Sequence, residues 1–323
     1  MTPAWLKTLL PDRFMLGLIA SIVLASVLPV RGAGAVLVDQ LTTAAIMLLF
    51  FLHGVRLSRE TMIGGLTHWR LHLTILAITF AAFPLIGLAL AWLLPGALPE
   101  ALWPGLIYLC ILPSTVQSSV AFVSIARGNI AAALCSAAAS NILGVILTPL
   151  LAGLLFSAHG VGVSSGIGPI LAQLLLPFVV GHMLRPWLKS WAVRRATLLR
   201  ATDRGAILLT VYSAFAAAVV EGIWHRIDLP EMLALLLVCA LLLAIAIGMS
   251  LAAARLQGFD REDEIAILFC GSKKSLISGV PMARVLFAGP AVGMTILPIM
   301  IFHQMQLMVC AWLARRYADR FVP

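Results

Sequence analysis

Long apolar runs separated by short polar or charged connections dominate this sequence. A helix needs about 20 apolar residues to cross the hydrocarbon core of a bilayer. The apolar runs between charge clusters, turns and Pro/Gly breaks predict about ten such spans. The segments between them are too short for a sheet, a coiled coil or a soluble domain. The pattern therefore predicts an all-α polytopic membrane protein. We place the spans at residues 14–30, 36–55, 71–94, 103–126, 129–156, 167–188, 204–223, 231–255, 263–283 and 288–314.

Composition supports this prediction. Hydrophobic residues make up 62% of the 323 positions and charged residues 11%, with a mean hydropathy of +1.05. Soluble domains are about half apolar and about a quarter charged. The five cysteines are scattered without metal-ligand or disulfide spacing, so we interpret them as small buried side chains. The first apolar run resembles a signal-peptide core, but its length and the similar runs after it favour a retained helix.

The distribution of basic residues predicts the orientation of the chain. The net charge of +9 could indicate a nucleic-acid partner in a soluble protein, but here the basic residues lie between apolar spans. With the N-terminus inside, 17 of the 22 basic residues fall in inner segments and three in outer ones. This bias predicts cytoplasmic termini, with the lipid bilayer as partner and no nucleic acid. The remaining two, Lys273 and Lys274, lie within the ninth span.

Ten spans divide into two halves of five, residues 1–156 and 157–323. An odd number of spans per half inserts the second half upside down, which is the inverted-repeat plan of many secondary transporters. A shift of 157 residues places Ser118 on Ser275 and Ala126-Arg127 on Ala283-Arg284. The polar fourth span then corresponds to the polar ninth span.

The fourth span carries a polar cluster directly after a proline. Pro113 cannot donate a helical hydrogen bond, and polar side chains that satisfy the freed backbone groups are one interpretation of the cluster. The supply of hydroxyl and amide groups exceeds what one kink requires, so we favour a cavity lined by this segment. The cluster comprises Ser114, Thr115, Gln117, Ser118 and Ser119.

The fifth span adds hydroxyl groups on one helical face. Ser136 and Ser140 are four residues apart, and Asn141 lies beside them. Small polar residues also serve as ordinary contacts between membrane helices, and that alternative stays open. With Ser118 and Ser119, these oxygens are suited to a small hard cation such as sodium, completed by carbonyls from a broken helix.

The ninth span, "FCGSKKSLISGVPMAR", contains two adjacent lysines among helix-breaking residues. A charged group at mid-membrane costs about 3 kcal/mol, so Lys273 and Lys274 are candidates for function. Neighbouring helical residues point about 100° apart, so both can face one cavity only where the helix breaks. The alternative is a later start of the span, with both lysines extending to the surface. The tenth span contributes His303 and Gln304, for which a helix–helix hydrogen bond is the alternative to cavity lining.

Three motifs resemble the bile acid:sodium symporter (SBF-like) family, in its YfeH-like bacterial branch related to the divergent seventh vertebrate member. They are "LLFFLHGVRLSRE" with "HWRLHL", "LPSTVQSSVAF" followed by "ARGN", "SN" and "TP", and "CGSKKSLISGVPMA". The resemblance covers nearly the whole chain. It implies a panel domain of spans 1, 2, 6 and 7 and a core domain of spans 3–5 and 8–10, in which helices 4 and 9 are discontinuous and cross. It also implies a bacterial inner-membrane location.

The resemblance implies specific site residues. In sodium-coupled relatives, the fourth and fifth helices hold one sodium ion, and here Ser118, Ser119, Ser136, Ser140 and the neighbouring Asn141 fit, with Ser119 where asparagine is usual. The relatives' ninth helix brings a glutamate and a glutamine where this chain has Phe269 and Lys273. Lys273 is therefore a candidate surrogate for a cation. The residues expected to face the substrate are Gln117, Lys274, Ser275, His303 and Gln304.

Exchanging a carboxylate for an ammonium disfavours a second sodium ion nearby through Coulomb repulsion. The sequence therefore leaves three possibilities open: coupling to sodium, coupling to a proton carried by a lysine that can become neutral, or no coupling ion. It predicts no other cofactor. The predicted function is secondary transport of a small organic anion by alternating access, in a monomer or a dimer.

Other functions are less compatible with the sequence. A non-transporting membrane regulator or scaffold of calcium homeostasis, with a degenerate transport site, is the main alternative. An arsenite-type exporter would need a reactive cysteine at the fourth-helix break, where this chain has Ser and Gln. An enzyme is not expected, because no metal-ligand set, nucleophile–base pair or nucleotide-binding loop is present.

Overall fold

The structure is a computed structural model that describes residues 13–56, 68–157, 171–222, 228–287 and 291–319. Within these ranges the chain forms helices joined by short connections, and no strand. The helices are α1 Arg13–Val27, α2 Ala33–Arg56, α3 Trp69–Leu93, α4 Trp103–Cys110, α5 Gln117–Ile125, α6 Ile130–Ser157, α7 Leu176–Arg194, α8 Ala196–Val220, α9 Leu229–Leu256, α10 Arg261–Gly271, α11 Leu276–Leu286 and α12 Ala291–Asp319.

Seven helical segments of the described ranges are long and apolar enough to cross a membrane. They are α2, α3, α6, α8, α9, the α10–α11 pair and α12. The all-helical membrane architecture is thus as predicted, whereas the count of ten spans and the inverted repeat stay a proposal. Lys7 before the first span, Arg59 in the second connection and Arg226 in the seventh connection lie outside the described residues.

Helix ends differ from the predicted spans where charged residues extend a helix. Helix α8 begins at Ala196 rather than at residue 204, and α12 continues to Asp319 rather than ending at 314. Composition marks the edge of the hydrocarbon layer, but a helix satisfies its own backbone and continues into the polar interface. Arg200, which the sequence placed in a connection, is therefore part of α8.

The fourth and ninth spans are each broken in the middle. Residues 111–116 separate α4 from α5, and residues 272–275 separate α10 from α11. Helix α3 is also irregular, with a π-helical turn at Ile78–Ala82 that was not predicted. Pro84 follows this turn at the start of the next α-helical segment, so the chain lacks a backbone donor there.

Helices α1, α2, α7 and α8 pack against one another. At the α2–α7 crossing, Gly54 faces the carbonyl of Phe178 and Gly181 faces the carbonyl of Phe51, with no room for a Cβ atom on either glycine. Small residues allow such close backbone approach between membrane helices. A bidentate ion pair between Arg56 and Asp203, with Nη1–Oδ2 at 2.5 Å, further ties α2 to α8.

The α10–α11 pair is the most enclosed of the seven candidate spans. In its most apolar 18-residue stretch 94% is buried inside the protein, compared with 28–50% in the other six spans. Helix α10 contacts α3, α5, α6 and α9, and α11 contacts α6, α8 and α12. The broken ninth span is therefore the central element of the described structure, although its assignment to a separate core domain stays a proposal.

We predict that Gly181→Ala destabilises the protein, because the added methyl group collides with the backbone of α2. The matched control is Gly248→Ala in α9, where a Cβ atom meets nothing within 4 Å. That change should leave the melting temperature equal or slightly higher, since alanine is the better helix former by about 1 kcal/mol. Thermal unfolding in detergent measures both, and equal melting temperatures for the two variants would contradict the α2–α7 crossing.

Candidate functional site

The two helix breaks face each other and are joined by hydrogen bonds. The backbone N–H of Ser275 donates to the carbonyl of Pro113 at 2.8 Å, and the Ser114 hydroxyl donates to the carbonyl of Cys270 at 2.6 Å. Pro113 and Cys270 are equivalent under the shift of 157 residues noted in the sequence. Each break therefore satisfies a freed carbonyl of the other.

Every carbonyl from residue 110 to residue 114 has a donor outside its own helix. Ile111 accepts from Thr148 at 2.9 Å and Ser114 accepts from Asn141 at 2.7 Å, both donors on α6. Pro113 accepts from Ser275, and the remaining two carbonyls accept from Lys274. In a low-dielectric interior an unpaired carbonyl is costly, so this complete pairing explains how the break persists.

A glutamine of α12 holds the backbone of the second break. The Gln306 side chain accepts from the Lys274 N–H and donates to the Lys274 carbonyl, both at 2.9 Å. Its amide nitrogen is also 2.9 Å from His303 Nδ1. Because Gln306 is fully buried, this pair of bonds fixes the direction in which the Lys274 side chain leaves the backbone.

The two lysines diverge from the break and are both enclosed by protein, at 0% and 1% exposure. The alternative in which they extend to the membrane surface is therefore wrong. Unwinding at residues 272–275 removes the constraint that a continuous helix places on neighbouring side chains. Within the described residues, neither lysine forms an ion pair with a carboxylate.

Lys273 reaches toward α5. Its Nζ donates to the Ser118 hydroxyl at 2.7 Å and lies 4.2 Å from the centre of the Phe122 ring. Ser118 is half-buried and the adjacent Gln117 is exposed. One hydroxyl and one aromatic face leave an ammonium with spare hydrogen-bonding capacity, and a cation over a ring is stabilised without being neutralised.

Lys274 reaches in a different direction, toward α3 and α4. Its Nζ donates to three backbone carbonyls: Thr79 and Cys110 at 2.7 Å, and Leu112 at 2.8 Å. The Phe83 ring lies 4.1 Å from the same nitrogen. All three donors of the ammonium group are therefore used.

Each hydroxyl expected to bind sodium has a protein partner. Ser118 accepts from Lys273, and Ser119 donates to the carbonyl of Phe269 at 2.9 Å. Ser136 is 2.6 Å from His72 Nδ1, and Ser140 accepts from the Ser114 N–H at 3.0 Å. The structure brings these residues around the two breaks, each with its hydroxyl bonded to a protein group.

The remaining predicted residues surround the second break. Asn141 donates to the Ser114 carbonyl and accepts from the Ser278 hydroxyl at 2.9 Å, so it links both breaks. Ser275 caps the start of α11 by accepting from the Ser278 N–H. No hydrogen bond joins Gln304 to the described residues of the site, and its neighbour two positions on, Gln306, makes the contact with the lysine backbone instead.

Sequence reasoning missed the carbonyl ligands of Lys274 and the imidazole of His72. The carbonyl of Thr79 is exposed by a π-helical turn, and its only signal in the sequence is the proline at position 84. His72 lies in the motif HWRLHL, and it contacts Ser136, a residue 64 positions further along the chain. Within the described residues, no group of three or more His, Cys, Asp or Glu side chains could hold a metal ion.

This arrangement, with broken helices in the centre of an all-helical membrane protein and charged groups at the breaks, is typical of secondary transporters. The chain belongs to the SBF-like CPA transporter family, which it matches over residues 12–319. It is therefore a multi-pass membrane protein of a transporter family resembling the bile acid:sodium symporters. The family of transporters agrees with the prediction that the chain is not an enzyme.

Individual relatives cover nearly the whole chain. An uncharacterised protein of Pseudomonas aeruginosa is 53% identical over 313 residues, which are 96% of this chain and 94% of that protein. The putative symporter YfeH of Escherichia coli is 52% identical over 307 residues, covering 95% and 92%. Sodium/bile acid cotransporter 7 of Rattus norvegicus is 30% identical over 308 residues, covering 92% and 89%.

We predict that Gln306→Ala lowers stability by roughly 1–3 kcal/mol, because two buried backbone groups of Lys274 lose their partner. Gln304→Ala is the matched control on the same helix and should change stability by less than about 0.5 kcal/mol. Thermal unfolding in detergent distinguishes the two. Equal losses would show that the Gln306 contact does not hold the break.

Proposed function

We propose that this protein is a secondary active transporter that moves a small organic anion by alternating access, with Lys273 as the positive group that attracts the anion. The observation that carries the proposal is the Lys273 ammonium, enclosed at the helix break without a carboxylate and bonded to the half-buried Ser118. Gln117, exposed beside Ser118, offers an amide that can donate to the same anion.

The assignment of the two lysines reverses the expectation from sequence. Lys274 was expected to face substrate and Lys273 to replace a cation. The three carbonyls around Lys274 support a cation role for Lys274, because carbonyl oxygens repel anions and attract cations. The hydroxyl partner of Lys273 is adaptable, since a hydroxyl can turn to donate to an anion that the ammonium attracts.

Alternating access requires two bodies that move relative to each other. We propose α1, α2, α7 and α8 as the panel and α3–α6 with α9–α12 as the core. An ion pair between Arg284 of α11 and Asp39 of α2 joins the two proposed bodies. Because both side chains are partly exposed, this pair can open at modest cost and is suited to a contact that forms in one state only.

A proton is the coupling ion that we propose in preference to sodium. The Lys273 ammonium lies on Ser118, one of the serine set, and its charge would repel a sodium ion bound there. Proton coupling requires only that the Lys273 ammonium lose a proton in one state, and lysine is the basic residue that can do so. The rat relative is named a sodium/bile acid cotransporter, so sodium is the alternative coupling ion.

The location follows from the basic residues and the relatives. We propose the bacterial inner membrane with both termini in the cytoplasm, since 17 of the 22 basic residues lie on the inner side in the ten-span topology. The relatives from Escherichia coli and Pseudomonas aeruginosa support a bacterial setting. A monomer and a dimer are both compatible with this topology.

A second function is favoured by one observation. The sodium-type hydroxyls are all engaged by protein groups, which also suits a membrane regulator or scaffold of calcium homeostasis with a degenerate transport site. Such a protein has no need of an anion response. Purification with a stoichiometric protein partner and without any ligand response would favour it.

We predict that an organic anion raises the melting temperature of the wild-type protein, because a ligand that binds the folded state stabilises it. The panel comprises bile acids, short carboxylates, sulfonates and organic phosphates. Lys273→Met should abolish the shift, while Gly248→Ala, whose added Cβ atom meets nothing within 4 Å, should retain it. A wild-type protein that responds to no anion, or an undiminished shift in Lys273→Met, would contradict the proposed role of Lys273.

We predict that Lys273→Arg separates binding from coupling. Arginine keeps the positive charge but does not release a proton, so the thermal shift by the anion should remain while proton-driven accumulation in proteoliposomes disappears. Accumulation is measured with a pH gradient and, separately, with a sodium gradient. Wild-type uptake driven by sodium alone would exclude the proton scheme, and proton-driven uptake by Lys273→Arg would remove Lys273 from it.

A further inference from the structure

The carbonyl oxygens around Lys274 are left over from interruptions in two separate membrane spans. In the π-helical turn of α3, the Phe83 N–H bonds the Ile78 carbonyl, so donors lie five residues after their acceptors. The next donor in this register, for the Thr79 carbonyl, would come from Pro84, which has no N–H. The π-turn and the proline together present the Thr79 carbonyl to Lys274.

The end of α4 provides the other two carbonyls. In a continuous helix the Ser114 N–H would bond the Cys110 carbonyl, but here it donates to the Ser140 hydroxyl at 3.0 Å. Leu112 lies in the unwound segment before Pro113, where the helical pattern has ended. Because the Ser140 hydroxyl of α6 accepts from the Ser114 N–H, the Cys110 carbonyl has no helical donor and accepts from Lys274 instead.

The result is a compact cage around one nitrogen. Three carbonyl oxygens lie 2.7–2.8 Å from Lys274 Nζ, with the Phe83 ring face 4.1 Å away on another side. Carbonyl dipoles and an aromatic face are the groups that replace the hydration shell of a monovalent cation in proteins. No carboxylate of the described residues pairs with this lysine.

We propose that the Lys274 ammonium is the resident cation of this cage, and that the cage binds a free monovalent cation of ammonium size when the lysine is shortened. A potassium ion and methylammonium match the oxygen spacing, whereas sodium requires the carbonyls to move inward. The space left by the lysine stem admits water to complete the coordination. The Lys274 side chain thus permanently occupies a cation site that the two interrupted spans create.

Lys273 provides the contrast on the same chain. Its ammonium meets one side-chain hydroxyl and one ring, and the hydroxyl can rotate to another partner when the lysine is removed. The carbonyls around Lys274 belong to the backbone of irregular helix and cannot turn away. The proposal concerns this cage alone and does not depend on whether the protein transports an anion.

The test measures the melting temperature of Lys274→Ala in chloride salts of potassium, methylammonium, sodium and tetramethylammonium at equal concentration. Leaving three buried carbonyls unpaired should lower the melting temperature by about 5 °C or more in tetramethylammonium, which is too large for the cage. Potassium and methylammonium should restore part of the loss in a concentration-dependent way. Sodium should restore less.

The wild-type protein and Lys273→Ala are the controls, and neither should distinguish potassium from tetramethylammonium. Lys274→Met retains most of the side-chain volume without the charge, so a melting temperature equal to that of the wild type would overturn the proposal. An equal response of Lys274→Ala to all four salts would also overturn it. If that variant does not fold in tetramethylammonium, folding in potassium or methylammonium supports the cage, and failure to fold in any of the four salts contradicts it.

Discussion

The hydrogen bonding of interrupted backbone inside the membrane is the constraint on which the rest of this structure depends. Water is not there to satisfy a freed carbonyl, so a broken helix persists only where other protein groups donate to it. The carbonyls of residues 110–114 take their donors from α6 and from the second break. The two breaks therefore require each other, and the site is located where they meet.

The two adjacent lysines acquire different properties through this constraint. Unwinding at residues 272–275 allows them to point apart, and the Gln306 side chain fixes the backbone from which Lys274 leaves. Lys274 then satisfies carbonyls, while Lys273 meets a hydroxyl beside an exposed amide. Burying two ammonium groups without carboxylates makes the centre of the protein positive, which is the physical basis for proposing an anionic substrate.

The helix breaks expose the kinds of group that membrane proteins use to hold cations. Carbonyls and hydroxyls at helix breaks are a general means of holding a cation in a membrane protein. Here a covalently attached ammonium lies among such carbonyls, and imidazole, ammonium and backbone groups engage the hydroxyls. An attached cation cannot dissociate, so it contributes charge and structure at that position without adding a transported ion.

The class of protein, the break at Pro113 and the presence of two lysines in a polar ninth span could be predicted from the sequence, because apolar length, proline and charge leave a direct trace in composition. Helical spacing of hydroxyl and amide side chains, together with the family resemblance, indicated that Ser118, Ser140 and Asn141 lie near one site. Tertiary contacts were needed to show which lysine meets carbonyls, that Gln306 rather than Gln304 holds the break, and that a π-turn presents the Thr79 carbonyl. Those features depend on contacts between helices far apart in sequence, and on backbone groups that every residue carries, so no residue pattern could specify them.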